Sequence, residues 1–161
     1  MVNSTISFSA PKIYRSNTQQ INVPKLKKLI QSHPIPIISN NNNDTSQQKP
    51  FHYEYGTAGF RYNHKLLPPI MIRMGIVASL RSSSLNGEGV GIMITASHNP
   101  ENDNGVKLSD SNGGMMHPKW ELMATKIANA TELEVNQLIV EIIQSHRNEK
   151  PISVRCQLRA F

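Results

Sequence analysis

Val90-Gly91-Ile92-Met93-Ile94-Thr95-Ala96-Ser97-His98-Asn99-Pro100 is the stretch on which the fold turns. Its first half is an apolar run of strand length, which predicts a buried strand. The second half sets a hydroxyl, an imidazole and an amide together at that strand's carboxyl end, where open α/β sheets place their ligands. Pro100 fixes its own φ and pushes Asn99 out of the helical region, so residues 95–100 are expected as a loop. Ser97 is thereby offered as an exposed nucleophile or phosphate carrier. His98 is its sequence neighbour, and neighbours in extended backbone point to opposite sides, which argues against His98 as a direct base. No Gly-x-Ser-x-Gly elbow is present, so a Ser-His-Asp hydrolase is disfavoured.

Outward from this stretch, strands and helices alternate. Tyr53-Glu54-Tyr55 reads as a short aromatic strand meeting the turn Gly56-Thr57-Ala58-Gly59. Pro68 and Pro69 suit the opening of a helix running to about Ser82, with Ile70, Met74, Val77 and Leu80 or Arg81 on one face. Asn86-Gly87-Glu88-Gly89 is a turn into the apolar strand. Beyond the serine loop, Asn104-Gly105 reads as a turn and Val106-Lys107-Leu108 as a short strand, closed by residues 110–114. One helix is expected from Pro118, carrying Trp120, Leu122 or Met123, Ile127 and Ala130. Another is expected over 132–146, with Leu133, Val135, Leu138, Ile139 and Ile142 apolar. Met71, Met74, Met93, Met115, Met116 and Met123 read as core filler. The alternation predicts the α/β class, as a layered α/β/α domain with a mixed sheet.

The 161 residues have room for one domain, and the net charge of +6 is unevenly spread. Lys12, Arg15, Lys25, Lys27, Lys28 and Lys49 face only Asp44 in the first 50 residues, whereas residues 51–161 are close to neutral. Basicity confined to one end, without a basic folded face, argues against nucleic-acid binding. No apolar run approaches a membrane span, and Met1 to Ile6 lack a signal-peptide pattern. Cys156 is the single cysteine, which excludes an intrachain disulfide and favours a reducing compartment, so a cytoplasmic location is expected. Residues 1–50 are expected to be a mostly disordered, basic and Asn-rich leader. A short helix from Pro24 to Ile30 would interrupt it, with Leu26, Leu29 and Ile30 on one side. Residues 51–154 are the expected domain and 155–161 a separate tail.

Thr95 to Pro100 resembles the phosphoserine loop of the α-D-phosphohexomutase superfamily. Tyr55-Gly56-Thr57-Ala58-Gly59-Phe60-Arg61 is similar to the amino-terminal substrate-side loop of that superfamily's phosphoacetylglucosamine mutase branch. Glu101 to Lys107, Met74 to Ser82 and Trp120 to Ala130 resemble the same branch, in the same order, over about residues 51–131. The resemblance implies that Ser97 carries a phosphoryl group, which adds about −1.5 to −2 charges. It also implies that Arg61 and Lys107 are catalytic, and that Thr57, His98 and Asn99 bind substrate or its phosphates. The implied reaction interconverts N-acetylglucosamine 6-phosphate and 1-phosphate through a bisphosphate, a step toward UDP-N-acetylglucosamine. The implied partner is a hexosamine phosphate, and the implied cofactor is magnesium (Mg2+), with Ser97 as one ligand.

The chain departs from the family in two places. No Asp-Gly-Asp-x-Asp-Arg-like loop is present to supply the remaining magnesium ligands, and the family's sugar-recognition loop and distal phosphate domain have no counterpart. After Lys150-Pro151-Ile152-Ser153-Val154 the family pattern gives way to Arg155-Cys156-Gln157-Leu158-Arg159-Ala160-Phe161. The expectation is therefore an amino-terminal, truncated and inactive form of such an enzyme. The alternative is a non-catalytic fragment that binds phosphosugars or a protein partner.

Overall fold

The computed structural model describes residues 23–39 and 48–147. Three strands make the main sheet: β3 (Phe60–Asn63), β4 (Gly91–Ile94) and β5 (Asp103–Ser109), in the order β3-β5-β4. A separate antiparallel pair joins β1 (Ile37–Ser39) to β2 (Gln48–Pro50). The helices are α1 (Val23–Gln31), α2 (Pro68–Ser84), α3 (Pro118–Asn129) and α4 (Glu132–Arg147). Helix α2 packs on β4, β5 and α3, and α1 packs on α2 and α4.

Local chemistry sets the helix ends. Pro68 and Pro69 start α2, where missing N–H groups cost nothing. Its far end turns through Asn86 and Gly87, both at positive φ, as the Gly87 N–H bonds back to the Ser82 carbonyl at 2.8 Å. Helix α4 begins with a capping box. The Thr131 N–H and hydroxyl both donate to the Glu134 carboxylate, at 2.7 and 2.8 Å. Those two hydrogen bonds hold the Glu134 carboxyl below its usual range.

The α/β layering is present, while among the described residues every strand pair is antiparallel rather than part of a mixed sheet. The link from β4 to β5 is too short for the crossover that a parallel neighbour needs. Strands β3 and β4 nevertheless run the same way. Helix α2 crosses between them, and β5 fills the gap.

Several sequence expectations are corrected. Tyr53 to Tyr55 form no strand, because their backbone groups bond side chains, those of Asn129 and Thr125 in α3 and, at Glu54, the Tyr62 hydroxyl. Asn129 accepts from the Tyr53 N–H and donates to its carbonyl, both at 2.7 Å, and Thr125 accepts from the Tyr55 N–H at 3.2 Å. Asn104 and Gly105 lie inside β5, not in a turn. Strand β4 is exposed along its whole length, since among the described residues β5 is its one strand partner. Ile94 is 60% exposed despite its apolar company. Leu29, Leu122 and Leu133 are likewise exposed, as are Met93 and Met115. Leu122 lies two residues from buried Trp120, about 200° around the helix. The folded part also reaches back before Phe51, since Leu26 and Ile30 of α1 are buried in the core. Strands β1 and β2 also fall within the expected leader; residues 1–22 and 40–47, the tail at 155–161 and Cys156 lie outside the described residues.

Ile70, Met74, Val77 and Leu80 of α2 meet Phe60, Val106 and Leu108 of the sheet in one core with Ile127, Val135 and Ile139. Two arginines stitch it. Arg73, 2% exposed, donates to the carbonyls of Pro69, His33 and Ala130 at 3.3–3.4 Å, and burial lowers its pKa. Arg81 grips Asp110 with two bonds of 2.8 and 2.7 Å and lies over the Trp120 ring. The hydrogen bonds from Arg81 hold the Asp110 carboxyl below its usual range.

This depressed carboxyl contributes stability above the unfolded value of about 3.9 and loses it as pH falls through the lower native value. Thermal melts from pH 7 down to pH 2 are therefore expected to show a steep loss below about pH 4. Asp110→Asn should be less stable at neutral pH and flatter in the acid range. Parallel acid profiles for the two proteins would contradict this.

Candidate active site

The site is built on the sheet face opposite Phe60, Val106 and Leu108. Side chains alternate along a strand, and directly paired residues share a face. Arg61 of β3 pairs with Gly105 of β5, and Lys107, two residues on, pairs with Met93 of β4. All four therefore belong to one face. Arg61 reaches past β5, and its Nη1 donates to the Ala96 carbonyl in the serine loop at 2.8 Å.

Gly105 opens this path. A Cβ there would stand 2.8 Å from the Phe60 carbonyl oxygen, 3.0 Å from that of Thr95 and 3.1 Å from Arg61 Cγ. The strands and the arginine thus close on a residue that has no side chain.

The serine loop is a tight turn in which the Asn99 N–H bonds to the Ala96 carbonyl at 3.1 Å. Ser97 takes a φ of +56°, in the left-handed region. For an L-residue this costs roughly 1–2 kcal/mol, and such outliers cluster at functional sites. The Ser97 N–H donates to Thr95 Oγ1 at 2.9 Å, while the Thr95 N–H donates to the Gly105 carbonyl at 3.0 Å. The strained residue is therefore tied to β5 through Thr95, and Ser97 itself is exposed.

The turn bearing Thr57 is closed by paired backbone bonds between Gly56 and Gly59. Gly59 rests on β5 at Val106 and Lys107, so the turn lies beside the same face. Thr57, His98 and Asn99 are exposed, and among the described residues their side chains make no hydrogen bond. Asn99 steadies the loop through its backbone alone.

Arg61 and Lys107 outnumber Asp103, the carboxylate that strand alternation places on the same face. Among the described residues no carboxylate pairs with Arg61 or Lys107, and the Arg61 Nε–H is buried without an acceptor. Arg61, bonded to the loop of the strained serine, and Lys107 on the same sheet face suit an anionic group with several acceptor oxygens, such as a phosphoryl group. Sequence reasoning brought Ser97, Arg61, Lys107 and Thr57 forward but passed over Gly105 and Thr95. A glycine inside a strand and a hydroxyl two residues before Ser97 were the signals that could have found them.

Magnesium does not fit the described residues as they stand. Ser97 offers one oxygen, and no group of three His, Cys, Asp or Glu among the described residues could hold a metal ion. No step is therefore assigned to a cation. No helix of the described residues is long and apolar enough to cross a membrane.

Residues 77–145 match the model of the phosphoglucomutase/phosphomannomutase α/β/α domain I. Similar relatives are phosphoacetylglucosamine mutases. The mouse enzyme is 52% identical over 91 residues, covering 56% of this chain and 17% of the relative. The Saccharomyces cerevisiae enzyme is 45% identical over 109 residues, covering 66% and 20%. A crystal structure of Aspergillus fumigatus N-acetylphosphoglucosamine mutase, in complex with GlcNAc-6P and magnesium, superposes with a TM-score of 0.62 at 35% identity. That match covers 83% of this chain and 21% of the solved one. The chain spans about a fifth of the length of the relatives it matches.

Proposed function

We propose that this chain carries the phosphoserine-bearing part of a phosphoacetylglucosamine mutase, acting on N-acetylglucosamine phosphates. The observation that carries the reading is Ser97, held at positive φ in a loop that Arg61 bonds, while among the described residues neither Arg61 nor Lys107 pairs with a carboxylate. In the forward step the Ser97 Oγ–P bond breaks and a bond forms from phosphorus to the free hydroxyl oxygen of the sugar phosphate. The sugar hydroxyl loses its proton, the Ser97 Oγ takes one up as it leaves, and Lys107 is the group proposed to assist that exchange. The resulting bisphosphate then returns its other phosphoryl group to Ser97, and the sugar oxygen left behind takes up a proton. Arg61 supplies a planar fork to the phosphoryl oxygens, and Thr57, His98 and Asn99 supply polar contacts to substrate. Phosphoryl transfer depends chiefly on alignment and charge neutralisation, which this face offers in part.

The chain alone is proposed to be inactive, because the described residues complete no cation site. In a coupled mutase assay with magnesium and an activating hexose bisphosphate, no appreciable turnover is expected. Robust turnover that Ser97→Ala abolishes would overturn this. Binding tests the site itself. Titrating N-acetylglucosamine 6-phosphate into the labelled chain should shift the NMR signals of Arg61, Lys107 and residues 95–99, while N-acetylglucosamine should not. Equal responses to both sugars, or none at millimolar ligand, would sink the reading.

A further inference from the structure

We infer that Thr95 is a positioning residue for Ser97, its hydroxyl holding the Ala96–Ser97 peptide plane while Arg61 exchanges the Ala96 carbonyl for a phosphoryl oxygen. The inference rests on the proposed phosphoserine role. The geometry behind it is that both ends of one peptide plane are held from different elements. At one end the Ala96 carbonyl accepts from Arg61 Nη1 at 2.8 Å; at the other the Ser97 N–H donates to Thr95 Oγ1 at 2.9 Å. A peptide unit is rigid, so turning it over moves both groups together and carries Ser97 out of its left-handed φ.

The two ends are not equivalent. Arg61 is a cation, and an anionic phosphoryl oxygen offers it an opposite charge and a matching fork that the neutral Ala96 carbonyl does not. A phosphoryl group on the face would therefore draw Arg61 away from Ala96. The Thr95 hydroxyl is neutral, and the Thr95 backbone is pinned to β5 through the Gly105 carbonyl at 3.0 Å. The Ala96 carbonyl would also keep the Asn99 N–H at 3.1 Å. Thr95 is thus the fixed half of a two-point clamp, and Arg61 the half that is free to leave.

The test uses the full chain without ligand and reads Ser97 by NMR. The readouts are amide hydrogen exchange and the strong intraresidue HN–Hα cross-peak that a positive φ gives. Thr95→Val keeps the shape and removes the acceptor, and it should speed Ser97 exchange about fivefold, one hydrogen bond's worth. It should also weaken the cross-peak. Thr95→Ser should restore both, and Arg61→Ala should leave both as in the wild type. The inference is overturned if Thr95→Val changes nothing, if Thr95→Ser does not restore Ser97, or if Arg61→Ala alone releases the turn. None of these readouts needs phosphoryl transfer. A failed phosphosugar titration would remove the functional reading and leave the clamp measurement standing.

Discussion

Arg73→Ala is expected to destabilise the chain by about 4 kcal/mol, more than any other single substitution considered. The side chain is 2% exposed, so truncation opens a large cavity where the neighbours cannot collapse. It also strips a donor from the carbonyls of His33, Pro69 and Ala130, which belong to the exit of α1, the start of α2 and the end of α3. The guanidinium meets the negative end of the α3 dipole at Ala130, which partly offsets the cost of burying its charge. Arg73→Met refills the volume without the charge, so it should cost less than Arg73→Ala, while Arg73→Lys cannot fork to three carbonyls. For a domain of this size, 4 kcal/mol lowers Tm by roughly 20 °C. An Arg73→Ala protein melting within a few degrees of the wild type would show that the three carbonyls find other partners.

Gly59→Ala is expected to cost about 3–4 kcal/mol, from two separate sources. Gly59 sits at φ +77°, a conformation that an L-residue resists. The added Cβ would also collide with the Val106 carbonyl oxygen and stand 2.9 Å from Lys107 Cα, both backbone atoms of β5. Neither can rotate aside. Relief requires the 56–59 turn to lift away, which moves Lys107 and the Arg61 strand relative to each other. The expected signature is a lower denaturation midpoint together with NMR shifts at Lys107 and Arg61. Gly56→Ala is the control, because its nearest neighbour would lie 3.9 Å from the new Cβ, an ordinary contact. Equal midpoints for the two variants would count against the close packing of Gly59 on β5.

The helices were legible in the sequence because their signals are local. Pro68-Pro69 marks where α2 starts, and the 3.6-residue spacing of Ile70, Met74, Val77 and Leu80 marks what it buries. Residues whose environment depends on distant partners were not legible. Tyr53 to Tyr55 alternate like a strand, yet Asn129 and Thr125 take their backbone groups. The apolar run at Ile92 to Ile94 says strand correctly and buried wrongly, since burial depends on what lies beside and above it. For the site, motif resemblance brought forward Ser97, Arg61 and Lys107. The means by which Arg61 reaches the serine loop lies in the pairing of Arg61 with Gly105, and no local pattern reports a register. The left-handed φ of Ser97 was equally hidden, because a serine, unlike a glycine, does not advertise it.

Among the described residues strand β4 is paired along one side only, yet it carries the serine loop at its end. Mechanically, the nucleophile is mounted on a cantilever. Among the described residues, opening β4 breaks a single ladder, so this strand should be easier to unzip than β5, which is paired on both sides. Any surface that came to cover Ile92, Met93 and Ile94 would stiffen the mount as it buried them. Seating a neighbour on this edge and steadying the phosphoryl carrier would then be one event.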